Sequence, residues 1–316
     1  MNRSRLFKQL LKISISVLLL TWLFSLVSWA EFLGVLSSVL LLPLLLSALL
    51  SFSAVLILSM RIGGILHIFG MIVTVKKLVL INMAGTFFNN FMPTSIGGDA
   101  YKFHILDTQF VGKRKEILSS LLIDRVIGLL SFLVINLIAA TYLWSLWNGE
   151  HTLVVLEIAI LAFLGVLLLM SLRGGYMLPF LRRLPIKFVV YKHFLDILLM
   201  LHGVRLSKQL IPPLIFSVVF ILNVVLSTWF LFVSFGLTVP ILYIALIVSI
   251  TNIAGILPIS LNSIGVTEGL YVFLLAVVGV APETALAVAL VGRVSLIITS
   301  AIGGVVYGLS RDRALE

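Results

Sequence analysis

The stretch Pro93-Thr94-Ser95-Ile96-Gly97-Gly98-Asp99 interrupts a long apolar region. It has an echo near the other end of the chain, Pro258-Ile259-Ser260-Leu261-Asn262-Ser263-Ile264-Gly265-Val266-Thr267-Glu268. Both copies place Pro, then Ser-Ile-Gly, then a carboxylate inside apolar sequence. The interval from Ser95 to Ser263 also separates Arg125 from Arg293, so each break is followed at equal distance by an arginine in a later apolar run. The two prolines do not keep that interval, so the loops differ in length. In a membrane protein, paired Gly/Pro-interrupted hydrophobic segments in two halves point to a transport site.

Working outward, the 316 residues are 61% apolar and only 11% charged, against about 25% charged in soluble domains. Mean hydropathy is +1.24. Several runs exceed the roughly 20 apolar residues that cross a bilayer core. Barrel strands alternate at period two, which these runs do not. The fold class expected is an all-α polytopic membrane protein, a single integral membrane domain over 1–316. There are no cysteines, and the five histidines show no metal-ligand spacing, so neither thiol chemistry nor a metal or other cofactor is expected. No nucleotide-binding motif is present, which argues against ATP hydrolysis. The net charge of +10 is read as cytoplasmic loops facing anionic lipid, not as a nucleic-acid surface.

Six full spans are expected, at about 10–29, 32–60, 117–147, 152–172, 210–235 and 283–309, with broken segments at about 72–110 and 239–280. The first is read as an uncleaved signal anchor following Arg3, Arg5, Lys8 and Lys12. The second span is expected to end inside at Arg61. A full crossing by residues 78–93 would leave Lys102, Lys113, Arg114 and Lys115 outside, against the positive-inside bias. A re-entrant loop removes the conflict. On this map both termini are cytoplasmic in a multi-pass cell (cytoplasmic or inner) membrane protein, and only Arg125 and Arg293 sit away from the cytoplasmic side. The approximate halves 30–150 and 200–316 then run in opposite directions, an inverted-topology repeat. Whether 239–280 is re-entrant or two full spans stays open at this point. The span at 152–172 and a basic amphipathic segment at 173–208 join the halves. Arg182 and Arg183 in that segment suit anionic inner-leaflet lipids.

The candidate substrate-binding residues are Asn89, Asn90, Pro93, Ser95, Gly97, Gly98, Asp99, Lys102 and Arg125 around the first break, and Asn262, Ser263, Gly265, Glu268 and Arg293 around the second. Backbone freed at membrane depth is tolerated where protein buries it or a wet cavity borders it. Asn82 and Asn252 also flank the breaks. Gly97-Gly98-Asp99 either brings backbone amides to a ligand or simply turns between two half-helices. Arg293, about ten residues into its span, lies roughly 15 Å deep. Placing it there costs about 2.5–3.5 kcal/mol on the mildest scale, so it needs a partner, and Glu268 is the best candidate. Arg125 lies about 12 Å deep. Its neighbour Asp124 cannot face it on a helix and is expected at the interface, and Glu157 is expected to reach water. The segment Tyr101–Asp107 reads as a head-group clamp or an interfacial helix.

Phe88-Asn89-Asn90-Phe91-Met92-Pro93, Ser95-Ile96-Gly97-Gly98-Asp99, Asp124-Arg125-Val126-Ile127-Gly128-Leu129 and Ser263-Ile264-Gly265 with Glu268-Gly269 together resemble the flippase-like membrane domain of lysylphosphatidylglycerol synthetases. That domain also occurs alone in bacterial and archaeal inner-membrane proteins. The resemblance covers nearly the whole chain and implies lipid translocation. The soluble aminoacyl-transferase part is expected to be absent, so enzymatic activity is not expected. Flipping of a phospholipid or polyprenyl-phosphate lipid with a charged head group is the leading expectation. A membrane transferase acting on a polyprenyl-phosphate lipid, or a non-catalytic lipid-binding partner of a lipid- or glycan-modifying enzyme, are the alternatives. A partner lipid-modifying enzyme or a homo-oligomer is the protein association considered.

Overall fold

The computed structural model describes residues 3–91, 97–143, 208–256 and 260–310. The expected span at 152–172, nearly all of the basic segment 173–208, and Pro93, Ser95, Glu157 and Pro258 lie outside the described residues.

Within them every regular element is helical. The helices are α1 (Arg3–Ser25), α2 (Trp29–Ser37), α3 (Leu41–Ile68), α4 (Val75–Phe91), α5 (Gly97–Gln109) and α6 (Arg114–Leu143). After the central segment come α7 (Ile211–Ser234), α8 (Ile241–Ile256), α9 (Val266–Val277) and α10 (Pro282–Ser310). Single 3-10 turns at Lys208–Leu210 and Leu261–Ser263 precede α7 and α9. Four stretches are long and apolar enough to cross a membrane: Leu41–Ile68, Arg114–Thr141, Lys208–Ser234 and Pro282–Val305. A fifth is available if α1 and α2, bent by 89° at their junction, form one broken span.

The expected span at 32–60 is corrected. α2 ends at Ser37, and the long helix runs from Leu41 to Ile68. Hydropathy barely changes across this boundary, so periodicity does not reveal it. At the boundary the Ser37 and Ser38 hydroxyls donate to the Gly34 and Val35 carbonyls at 2.8 and 2.9 Å. Pro43 then sits in the first turn of α3, where a missing N–H costs nothing. A second correction follows. Arg61 does not end a span but lies inside α3, buried.

The helices that fit between the long ones are short. α4 has 17 residues, α5 13, α8 16 and α9 12, each below the roughly 20 needed to cross alone. This agrees with two broken segments. Each half therefore shows one order: a long helix, a helix leading into a break, a short helix, and a second long helix.

Packing links the halves. α3 lies along α7, α4 packs on α10, and α6 packs on α8. The main core gathers Phe232, Tyr243, Ile244, Ile247, Leu275 and Val288. A second core joins Leu66, Met71, Leu78, Leu106 and Ile117. Lipid tails are as apolar as leucine, so helices associate through close contact and not through exclusion of water. Gly303 shows this, because a β-carbon there would lie 2.3 Å from the Met83 carbonyl oxygen of α4. The outer face of α3, with Leu42 70% and Leu49 65% exposed, is suited to hydrocarbon.

Candidate functional site

At the first break, α4 ends in Asn89-Asn90-Phe91 and α5 starts at Gly97. The Gly98 N–H donates to Asn89 Oδ1 at 2.7 Å, which occupies one of the free donors at the helix start. A β-carbon at Gly98 would sit 2.2 Å from the Gly85 carbonyl oxygen, so only glycine lets α5 approach α4 so closely. Gly85 in turn leaves room for the Lys102 stem, whose Cε would lie 2.9 Å from a β-carbon there.

Three cations and two carboxylates meet beside this break. Arg125 on α6 pairs with Asp99 on α5. Arg61 on α3 grips Asp124 on α6 with two bonds, Nε to Oδ1 at 2.7 Å and Nη2 to Oδ2 at 3.0 Å. Lys102 lies within the field of both carboxylates and both arginines. Adjacent Asp124 and Arg125 thus serve different neighbours, as their positions on one helix require. Asp124, expected at the interface, is part-buried at 17% exposure and pairs with a residue 63 positions away. The Phe220 ring lies 5.8 Å from the Arg61 guanidinium, on a second side of the same group.

Replacing Arg61 alone by Met leaves Asp124 without its counter-charge. The expected loss is about 3–5 kcal/mol, read as a lower midpoint of denaturant or thermal unfolding in detergent. Arg61→Met with Asp124→Leu recovers most of it, because no buried charge is left behind.

The second break is more strained. Asn262 and Ser263 have φ of 47° and 58°, and Gly265 has φ of 85°. Left-handed backbone at non-glycine residues costs about 1–3 kcal/mol each and marks positions held by their surroundings. Here Arg293 holds them: Nη1 and Nη2 reach the carbonyls of Asn262 and Ser263, both at 3.4 Å. Its Nε pairs with Glu268 Oε1. Glu268 Oε2 accepts the Gly265 N–H at 2.7 Å, capping α9. The pairing of Arg293 with Glu268 expected from the sequence is found. From outside, Ser16 of α1 accepts the Leu261 N–H at 2.9 Å, and Leu19 crowds Gly265.

The two sites match in position. Asp99 is the third residue of α5 and Glu268 the third of α9. Arg125 is the twelfth of α6 and Arg293 the twelfth of α10. The breaks also touch, since Asn262 Nδ2 donates to Asn90 Oδ1 at 2.9 Å. Asn90 Nδ2 and Ser260 Oγ are buried without a hydrogen-bond partner among the described residues. Of the candidate residues, Asn89, Gly97, Gly98, Asp99, Lys102 and Arg125 collect at the first break, and Asn262, Ser263, Gly265, Glu268 and Arg293 at the second. Asn90 bridges them. The segment Tyr101–Asp107 is not a free interfacial face. Tyr101 packs on Phe88 and Tyr307, Leu106 is buried, and Asp107 pairs with Arg114.

A cavity of about 470 Å³ opens beside Arg293 and Glu268, bordered also by Ser47, Ser51, Ser227, Thr251 and Asn252. Sequence reading missed Arg61 as an embedded group and missed these hydroxyls. The signals were present: Arg61 is the one Lys, Arg, Asp or Glu in Leu41–Ile68, and Ser47 and Ser51 are four apart on one helical face.

These features define a polytopic α-helical membrane protein whose ion-paired side chains gather at two interrupted helices. The chain matches the family model described as lysylphosphatidylglycerol synthase TM region over residues 9–304, and it belongs to that family. Membership gives it a role connected with membrane lipid. No curated protein matches the chain.

Proposed function

We propose that this protein translocates a lipid, or a lipid-linked precursor with a charged head group, across the cytoplasmic membrane, with both termini cytoplasmic and no enzymatic step of its own. The observation that carries this reading is the meeting of two helix breaks, joined by Asn90 and Asn262, each holding an arginine–carboxylate pair. Such polar groups are costly in hydrocarbon and are kept where a pathway borders them. Acyl chains would stay in the bilayer while the head group crosses along the breaks.

The halves are read as an inverted repeat with two re-entrant segments. In support, exchanging the halves turns the contact of α4 with α10 into that of α8 with α6, and returns the α3–α7 contact to itself. The equal positions of Asp99 and Glu268, and of Arg125 and Arg293, fit the same operation. Alternating access would rock one half against the other about the shared breaks. Arg125, Arg293 and Lys102 would neutralise a phosphate, and Asp99 and Glu268 would hold the arginines when no lipid is bound.

The test is translocation of fluorescent phospholipids in proteoliposomes, read by quenching from the outer leaflet. The protein is expected to raise the rate above that of protein-free vesicles. Arg125→Gln, at the more open pair, is expected to slow it about tenfold or more. A rate equal to empty vesicles for every lipid class offered, or no effect of Arg125→Gln, would defeat the reading.

A further inference from the structure

We infer that the cavity beside Arg293 takes the uncharged, hydroxyl-bearing part of a head group, a glycosyl or polyol moiety, and rejects a cationic one. This rests on the lipid-translocation reading and names the substrate class of that site. The volume, about 470 Å³, falls in the range of small-molecule pockets, about 300–1,000 Å³.

The wall decides the chemistry. A serine hydroxyl has one hydrogen and two lone pairs. The Ser227 hydroxyl donates its hydrogen to the Ser47 carbonyl at 2.9 Å. In its contact with Ser51, also 2.9 Å, Ser51 must then be the donor. Ser51 keeps lone pairs toward the space it borders. Thr251 likewise spends its hydrogen on the Ile247 carbonyl at 2.7 Å. Asn252 turns its amide N–H to the Val248 carbonyl at 2.8 Å, and its own side-chain oxygen accepts nothing among the described residues. Ser51, Thr251 and Asn252 therefore offer free acceptors to donors of the ligand, beside the remaining N–H groups of Asn252 and Arg293.

Hydroxyls and ammonium groups are both donors, and charge separates them. Among the described residues the cavity's only carboxylate is Glu268, and its two oxygens hold Arg293 and the Gly265 N–H. Its charge is already cancelled. An ammonium entering here would lose water and find no free counter-ion among the described residues. The first break adds no spare negative charge either, since Arg61, Lys102 and Arg125 outnumber Asp99 and Asp124. A neutral polyol meets the acceptors without that penalty, and a phosphate linking it to the lipid suits the cationic excess.

Proteoliposomes of the full chain would be given four acyl-labelled lipids: phosphatidylglycerol, phosphatidylmethanol, monoglucosyl diacylglycerol and lysyl-phosphatidylglycerol. Phosphatidylglycerol is expected to cross at least tenfold faster than phosphatidylmethanol, which has the phosphate but no hydroxyl. Lysyl-phosphatidylglycerol is expected to be as slow as phosphatidylmethanol. The glucosyl lipid separates a glycosyl ligand from a phosphorylated polyol. Ser51→Val and Asn252→Leu should each shrink the ratio of phosphatidylglycerol to phosphatidylmethanol rates about tenfold. Shifts in unfolding temperature in detergent, with each lipid added, report binding apart from transport. If no lipid crosses but phosphatidylglycerol still stabilises more than the lysyl lipid, the cavity assignment stands and the transport reading falls. Lysyl-phosphatidylglycerol crossing or stabilising as well as phosphatidylglycerol overturns the assignment, as does an unchanged ratio in both variants.

Discussion

Arg293→Met is expected to lower stability by about 3–5 kcal/mol and to abolish lipid translocation. Glu268 is 1% exposed, so removing its partner leaves a bare carboxylate in the interior. The substitution also releases the carbonyls of Asn262 and Ser263, whose left-handed backbone the guanidinium supports. Two further variants separate stability from function. Arg293→Met with Glu268→Gln removes both charges and is expected to regain most of the lost unfolding temperature in detergent, while transport stays absent. Arg293→Lys keeps the charge but lacks the planar fork. It cannot serve Glu268 and both carbonyls together, and it is expected to fold while transporting slowly. A double variant that moved lipid at the wild-type rate would show that the pair is structural only.

Gly303→Ala is expected to cost about 1–3 kcal/mol, near the upper end, and to slow transport sharply. Its β-carbon would meet the Met83 carbonyl oxygen at 2.3 Å and carbon at 2.7 Å. Those atoms are backbone, so relief requires α4 and α10 to separate. That contact is one of the three helix pairings that link the halves, and the Ser300 hydroxyl donation to the Thr86 carbonyl, at 3.2 Å, lies on the same seam. Gly308→Ala is the control. Nothing among the described residues lies within 4 Å of its β-carbon position, and it is expected to be neutral or to stabilise by up to about 1 kcal/mol through helix propensity. Unfolding midpoints of the two variants under identical detergent conditions provide the check. Equal midpoints would mean that close packing along this seam adds nothing.

The breaks, their polar residues and the Arg293–Glu268 pair were legible because each depends on signals close in the chain. Proline and glycine interrupt helices locally, and Glu268 and Arg293 lie on neighbouring helices of one half. The Arg61–Asp124 pair was not legible in the same way. Its partners are 63 positions apart, and a charge near the end of an apolar run reads equally as a span end. The α2–α3 boundary was hidden for another reason: the chain turns between two apolar helices without a change in hydropathy.

By itself the sequence determined a membrane-embedded helical chain with two interrupted segments and an arginine placed alike after each, because hydropathy and backbone breaking act over a few turns. Only the tertiary structure decided that Arg125 meets Asp99 and Arg61 meets Asp124, that Asn90 and Asn262 join the two breaks, and that serines of α3 and α7 border a cavity beside Arg293. Those arrangements come from helices far apart in the chain approaching closely at glycine and serine, where small side chains let backbones and hydroxyls meet.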